Sequence, residues 1–426
     1  MVASAPSGVR QQGVSRFVWP IGFVIVIGLL FYFYHNLLPN LQNNVASDIT
    51  AWLPLSTLNE SMVWVIMALG LNVVVGYAGL LDLGYVAFWA IGGYAAGWLM
   101  SQPWAYSATF HLLAPPSVTK AQGIHVTFWL VLIVAGFVCA VAGLIIGAPT
   151  LRLRGDYLAL VTLGFGEMIG QVAKNGNVFG VNLTNGDTGI PVIDPIGTGP
   201  LGNIKGIPKQ LGAFDDTFKL LVLAALAGVC LFISLRIRDG RLGRAWLAIR
   251  EDELAASMMG VPVMKAKLAA YATGAFFGGL GGVGFASAIT GNVASSRFDF
   301  SVSITVLLMV VLGGMGNVWG VTIGAIVLSW INATGLNQLG VQYDQWTGFH
   351  VGDKFKQNQY LLFGVVLVLM MLFRPGGFIP EKRTMKLMLT PSRTEAESLG
   401  ADISEAEAED DLSVVEEAGH GEVLKK

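Results

Sequence analysis

The chain has 426 residues, of which 54% are apolar and 13% charged, with 54 glycines and a formal net charge of -2. Its mean hydropathy of +0.62 is too high for an ordinary soluble domain of this length and makes it a polytopic membrane protein. Irregular backbone cannot face lipid, so the membrane segments must be helices and the fold class is all-α.

Runs near the ~20 residues that cross the hydrocarbon core read at 18–38, 60–77, 84–100, 126–148, 157–173, 218–235, 266–290, 301–312, 318–334 and 360–374. This gives about ten transmembrane helices or half-helices with Gly-rich breaks. The short ones must be breaks shielded by protein. The first run follows Arg10 and Arg16 as a signal peptide would, but its length and the lack of a small-residue cleavage site read as a retained anchor. Residues 1–17 then form a cytoplasmic arm and 18–380 the transmembrane domain, while 381–426 form an acidic cytoplasmic tail. From Glu395 onward that tail carries acids and few aromatics, the composition of a solvated, disordered segment.

With the N-terminus inside, the segments at 149–156, 236–265 and 375–426 fall on the cytoplasmic side. Together with the arm and the near-boundary Lys267 and Arg374 they hold most of the lysines and arginines, as the positive-inside rule requires. Both termini are therefore expected in the cytoplasm. The two long external segments, about 101–125 and 174–217, are rich in turn-forming residues. The second contains TNGDTGI, with Thr184, Asn185, Gly186 and Asp187 as candidate contacts to an external partner.

Chemistry inside the membrane is sparse. Five scattered histidines and the distant Cys139 and Cys230 lack paired ligand spacing, so neither metal nor disulfide is expected. No phosphate loop of the G-x-x-x-x-G-K-[ST] type occurs, so nucleotide energy must come from another subunit. No cofactor and no nucleic-acid partner are expected. Glu60, Asp82 and Glu167 are the main ionisable residues within or beside the spans, and Asp82 and Glu167 each read as an interfacial group near a helix end or as part of a translocation path. The pairs Gly274/Gly278 and Gly278/Gly282 put small residues on one helix face, which lets a neighbouring backbone approach closely. Interrupted segments around Gly76, Gly79, Asp82 and Gly84, and around Gly313, Gly314, Gly316 and Asn317, suggest discontinuous helices lining a substrate path.

Charge concentrates in one interior segment, Arg236 to Pro262. Glu251, Asp252 and Glu253 sit where the positive end of a short helix wants acids, Gly260 stops it, and Pro262 opens the next. A cytoplasmic helix of roughly nine residues is too short to be stable alone. Asp252, Ala255, Ala256 and Met259 share a face, with Met258 beside it, which suits docking in a protein groove. Arg236, Arg238, Arg241 and Arg244 upstream suit snorkelling or anionic lipid equally well.

The core Ala255, Ala256 and Gly260 resembles the coupling loop of ABC importer permeases, with Leu254 in the place of the usual glutamate and Glu253 before it. NVVVGYAGLLDLGYVAFWAIGGYAAG, LRLRGDYLALVTLGFGE, TNGDTGI, AIREDELAASMMGV and VVLGGMGNVWGVTIGA, in that order over residues 60–375, are similar to the LivM-type permease of branched-chain amino acid importers. The resemblance implies a subunit of the bacterial inner membrane paired with a second, LivH-like permease, two ATP-binding subunits and a periplasmic solute-binding protein. The stretch from Arg250 to Gly260 would then couple to the ATPases. A related family imports urea and short amides, and a stand-alone carrier or channel using Asp82 and Glu167 is the reading from a different class.

Overall fold

The structure is a computed structural model. It describes residues 22–23, 26–40, 43–101, 110–112, 123–153, 155–178, 181–192, 194, 196, 216–347, 354, 357–374 and 376–379. The amino-terminal arm and the acidic tail lie outside the described residues.

Helices dominate: α1 (Asn43–Trp52), α2 (Leu55–Leu71), α3 (Val86–Leu99), α4 (Phe128–Thr150), α5 (Asp156–Asn175), α6 (Asp216–Asp239), α7 (Arg241–Glu251), α8 (Glu253–Met258), α9 (Val263–Gly284), α10 (Phe300–Gly313), α11 (Val318–Trp330), α12 (Leu336–Thr347) and α13 (Gln359–Phe373). The first apolar run is helical over 26–32, widens into a π-helical turn at Phe33–Leu37 and tightens into a 3-10 turn at Leu38–Asn40. Among the described residues, six helical stretches are long and apolar enough to cross a membrane, namely Ser47–Tyr77, Phe128–Thr150, Asp216–Asp239, Val263–Thr290, Ser295–Gly313 and Val318–Trp346. The protein is thus an all-α, multi-pass membrane protein. Each expected segment from residue 60 onward coincides with a helix, and several run further than the apolar pattern alone suggests. Val318–Trp330, for example, continues through a π-helical turn, Ile331–Gly335, into the more polar α12.

The two shortest expected runs, 301–312 and 360–374, appear as α10 at 14 residues and α13 at 15, and α13 buries only Phe363, so the shielding expected of both short pieces holds for α10 alone. The 14-residue α3 is likewise sheathed by neighbours along most of its length, as a short helix in hydrocarbon must be. By contrast α4 turns Ile133, Phe137, Val141, Leu144 and Ile145 outward, an unbroken apolar face that suits lipid.

At the centre lies α9, which packs on α2, α3 and α4. Its glycines are what let it do so. A Cβ on Gly274 would lie 2.4 Å from Val74 Cγ2, on Gly279 2.6 Å from Cys139 Sγ, on Gly281 2.7 Å from Met67 Cγ, and on Gly282 2.3 Å from the Trp89 carbonyl oxygen. The small-residue face expected at Gly274, Gly278 and Gly282 is therefore one side of a helix approached closely on three.

Turns gather at two ends of the bundle. At one end, Met100–Ser101 (β1), Phe110–Leu112 (β2) and Ile124–Val126 (β3) form a sheet in the order β1-β3-β2. The short hairpin Asn177–Val178 (β4) and Val181–Asn182 (β5) and the pairing of Ile190–Pro191 (β6) with Asn292–Val293 (β7) lie in the same group of turns. The external segments thus fold into small strands where the turn-rich composition suggested turns alone. Buried His125 pairs with Asp194 at 2.9 Å and ties β3 to the segment that follows β6. The other end carries α7 and α8.

Glycine packing around α9 yields a measurable contrast. Gly282→Val is expected to cost about 1–3 kcal/mol by overpacking, whereas Gly164→Ala, whose Cβ meets nothing within 4 Å, should stabilise by about 0.5–1 kcal/mol. Thermal unfolding in mild detergent reads both.

Candidate functional site

The charged segment forms two helices rather than one. In α7 the inward residues are Gly243, Trp246 and Ile249, spaced by three, which lays the helix flat against the bundle end. Gly243 permits the tight corner after α6, since a Cβ there would lie 2.2 Å from the Arg238 carbonyl oxygen. The fully buried Trp246 stacks on Tyr77 with ring centroids 6.5 Å apart and planes at 10°. Its indole N–H donates to the Ala266 carbonyl at 2.7 Å, so α7 is bolted both to the end of α2 and to the start of α9.

Asp252 separates the two helices. Its backbone is extended, and its carboxylate accepts from the N–H groups of Leu254 at 2.8 Å and Ala255 at 3.0 Å. It is thus the N-cap of α8. The expectation that Glu251, Asp252 and Glu253 together open one helix is corrected: Glu251 closes α7, and Glu253 alone occupies the first turn of α8. An acid that can cap the backbone stops the preceding helix as effectively as it starts the next. Gly260, at φ +84°, ends the segment as expected, and Pro262 caps α9.

On α8 the shared face is also revised. Ala256 turns inward and is buried, while Ala255 and Ser257 are exposed and Leu254, Met258 and Met259 stand 66%, 78% and 85% exposed. Beside Ala256, Glu253 reaches back to Lys267 on α9 at 2.7 Å. That ion pair fixes which side of α8 faces its own chain.

The Gly-rich breaks meet this bend. After α2 the chain continues as a π-helical segment, Asn72–Tyr77. Arg250 donates through Nη1 to the Gly76 carbonyl, and Gly79, at φ +68°, lies so close that a Cβ would sit 2.9 Å from Arg250 Cγ. From the other side, the carboxamide oxygen of Asn72 accepts from the Gly316 N–H at 2.9 Å. Asn317 caps α11 through the Trp319 and Gly320 N–H groups, and Gly313 packs on Gly320 where a Cβ would meet a carbonyl oxygen at 2.4 Å. Gly314 takes φ +111°, which allows the turn between α10 and α11. The two breaks that the sequence set apart are therefore one cluster, joined by Asn72 and wired to the bend by Arg250.

Asp82 is 1% exposed and accepts from the Gly84 N–H at 2.9 Å, at the amino end of α3. The Tyr271 and Thr162 hydroxyls face the same carboxyl group. Leu83 N–H bonds the Thr162 hydroxyl at 3.1 Å, and a Cβ on Gly84 would lie 2.0 Å from the Thr162 carbonyl oxygen, which docks this connection on α5. Glu167 lies in the middle of α5 and not near its end, on an exposed face with Tyr157, Leu160, Gly164 and Gln171. That mixed face differs in kind from the purely apolar one of α4.

At the opposite end, Thr184 is buried with its hydroxyl on the Ala173 carbonyl at 2.7 Å, and Asn185 takes φ +58° with its amide on the Gly189 carbonyl at 2.9 Å. Gly186 follows at φ +56°, and Asp187 accepts from the Ser295 hydroxyl. This is a rigid turn stapled to the connection between α9 and α10, with Asn185 and Asp187 exposed at its tip.

Trp246, Tyr77, Asn72 and Lys267 were missed by reading the sequence alone. For two of them the sequence held a signal: an asparagine opening NVVVG, and Lys267, the second of two lysines at the start of an otherwise apolar helix.

Comparison with known proteins gives a consistent picture. A family model described as branched-chain amino acid transport system / permease component matches residues 53–371. The high-affinity branched-chain amino acid transport system permease protein LivM of Escherichia coli K12 is 36% identical over 342 residues, covering 76% of this chain and 69% of that protein. A probable LivM of Methanocaldococcus jannaschii is 28% identical over 336 residues, 74% of this chain and 90% of that protein. The permease protein LivH of Escherichia coli K12 is 23% identical over 331 residues, 76% of this chain and 93% of that protein. No solved structure matches.

Lys267 is 7% exposed and Glu253 37%. Glu253→Gln should therefore cost about 1–3 kcal/mol by stranding the lysine, less than in a fully buried pair. Adding Lys267→Met should restore most of it. A double-mutant cycle on thermal midpoints measures the coupling.

Proposed function

The chain belongs to the branched-chain amino acid transport permease family as a LivM-type subunit of an ABC importer, and we propose how its two ends divide the work. It sits in the bacterial inner membrane with both termini in the cytoplasm, beside a LivH-like permease. Two ATP-binding subunits dock on the end that carries α7 and α8, and a periplasmic binding protein delivers leucine, isoleucine or valine to the other. The relatives' names favour branched-chain amino acids over urea or short amides as cargo.

One observation carries the reading: α8 presents Leu254, Ala255, Met258 and Met259 outward while its inner side is tied into the bundle. Exposed methionines on a short, capped helix suit insertion into a groove on a soluble partner. Closure of the ATPases would press on α8. The push passes through Glu253 to α9 and through Asp252 to α7. Because Trp246 grips Tyr77 and Arg250 holds the Gly76 carbonyl, displacement of α7 reaches the π-helical segment Asn72–Tyr77, and Asn72 passes it on to Gly316. Gly76, Gly79, Gly313, Gly314 and Gly316 allow those turns to rearrange where side chains would block them.

The path itself lies along the exposed face of α5 that carries Glu167, between this chain and the second permease. A carboxylate facing lipid is costly, so that face wants a protein or aqueous neighbour. At the far end, the exposed tip at Asn185 and Asp187 meets the loaded binding protein. A stand-alone carrier needs an enclosed coupling charge. Asp82 is enclosed but its carboxylate is engaged with the Gly84 N–H at the amino end of α3, and Glu167 faces outward, which favours the importer over the carrier.

Met258→Glu combined with Met259→Glu should give a protein of normal thermal midpoint that no longer retains the ATPases on purification and takes up leucine at least about tenfold more slowly, because an unpaired charge buried at an interface costs several kcal/mol. Full ATPase retention would place the coupling site elsewhere. Ala256→Glu tests the same contact less cleanly, since Ala256 is buried within its own chain. In a second experiment, proteoliposomes holding this chain alone under a proton gradient should take up no leucine. Uptake there, lost in Asp82→Asn, would establish the carrier reading instead.

A further inference from the structure

A cavity of about 260 Å³ opens beside the coupling bend, between the Gly79 connection, the turn joining α4 to α5, and α7 to α9. It is smaller than the roughly 300–1,000 Å³ that hold drug-sized ligands. One wall carries Arg250, Glu253 and Lys267, and the other carries Leu81, Leu153 and Leu158.

The charged wall is connected but not saturated. Arg250 gives one N–H to the Gly76 carbonyl out of five donors, and Lys267 gives one of three to Glu253. A carboxylate can accept further bonds beyond the one from Lys267. Two cations and one carboxylate therefore face a small space whose remaining lining is aliphatic. Inorganic phosphate would meet the cations but be repelled by Glu253 and gain nothing from the leucines. A fatty acid would set a second carboxylate beside Glu253 with no ammonium to offset it, and an aliphatic amine would add a third cation beside Arg250 and Lys267. A molecule bearing a carboxylate, an adjacent ammonium and a short branched tail meets all three demands.

We propose that this cavity is a binding site for a free aliphatic α-amino acid, separate from the translocation path, and that its occupation slows transport. The carboxylate lies toward Arg250 and Lys267, the ammonium toward Glu253, and the tail against Leu81, Leu153 and Leu158. A ligand seated there bridges α7, α8, α9 and the turn between α4 and α5, parts that must shift against one another if α8 carries the ATPase stroke. The inhibitory effect, though not the binding, rests on that reading of α8. The site then senses the transported product on the ATPase side of the membrane.

The test uses the complete importer in nanodiscs, without binding protein and without ATP, with L-leucine as probe in equilibrium binding. Isopentylamine and 4-methylpentanoate, which lack one or the other charged group, are expected to bind at least tenfold more weakly, and inorganic phosphate should not compete. Leu153→Trp, at a partly exposed position that would fill the cavity, should weaken leucine binding at least tenfold, as should Glu253→Gln. In proteoliposomes, leucine preloaded on the ATPase side should slow uptake, and Leu153→Trp should abolish that slowing. Leucine binding unchanged in both variants, or equal binding of the two analogues, overturns the site. Undiminished uptake against preloaded leucine overturns its inhibitory role. The binding readout needs neither hydrolysis nor uptake, so it stands or falls independently of ATPase retention in the Met258 and Met259 variants.

Discussion

Close backbone approach around α9 is the constraint on which the remaining structure depends. Between helices in lipid the hydrophobic effect offers little, since acyl chains are as apolar as leucine, and association rests on packing and on satisfied polar groups. Glycines along α9 let α2, α3 and α4 come near enough to make that packing dense. Because α9 and its neighbours screen it, α3 can be shorter than the membrane is thick. The non-helical backbone at Gly79 and Gly314 is likewise admissible because protein surrounds it.

The same requirement explains where the polar side chains went. A break in a helix frees carbonyl and N–H groups that need partners. Arg250 answers the Gly76 carbonyl, Asn72 answers the Gly316 N–H, Asp82 answers the Gly84 N–H, and Asn317 answers the start of α11. Asp82 and Asn317 act within their own turns, whereas Arg250 and Asn72 reach across, so satisfying the backbone also links α7 to the segment after α2 and that segment to the turn before α11. A structure that merely needed closed hydrogen bonds has thereby acquired a continuous connection from the bend at Asp252 to the turn at Gly314.

Legibility in the sequence followed the range of the interaction involved. Composition and apolar runs located the spans because crossing hydrocarbon is a property of each segment alone. Gly260, Pro262 and the small-residue spacing in α9 were readable for the same local reason. What failed needed knowledge of a neighbour. Asp252 reads equally as a first-turn acid or as a cap between two helices, and the difference lies in whether Trp246 holds α7 down to its end. Ala255 and Ala256 are alike in sequence, yet the pull of Lys267 on Glu253 sends one outward and one inward. The turn around Thr184–Asp187 reads locally as turn-forming residues alone, because the staples from Ser295 to Asp187 and from Asn292 to Thr188 come from over a hundred residues away. Glu167 looked interfacial by cost alone, and only the position of α5 against the bundle shows it in mid-helix on an open face.

Charge crowding between Arg236 and Pro262 then resolves into two separate physical tasks. Arg236, Arg241 and Arg244 are exposed along the carboxyl end of α6 and the outer side of α7, where long aliphatic stems and charged heads suit a membrane boundary. From Arg250 onward the charges turn to their own chain: Arg250 to Gly76, Asp252 to the α8 backbone, Glu253 to Lys267. With its polar groups spent inward, α8 is left showing solvent a nearly uncharged face of leucine, alanine and methionine. The proposed coupling role draws on both halves of this arrangement, an apolar outer face for a partner to cover and inward charges that tie the helix to α7 and α9 behind it.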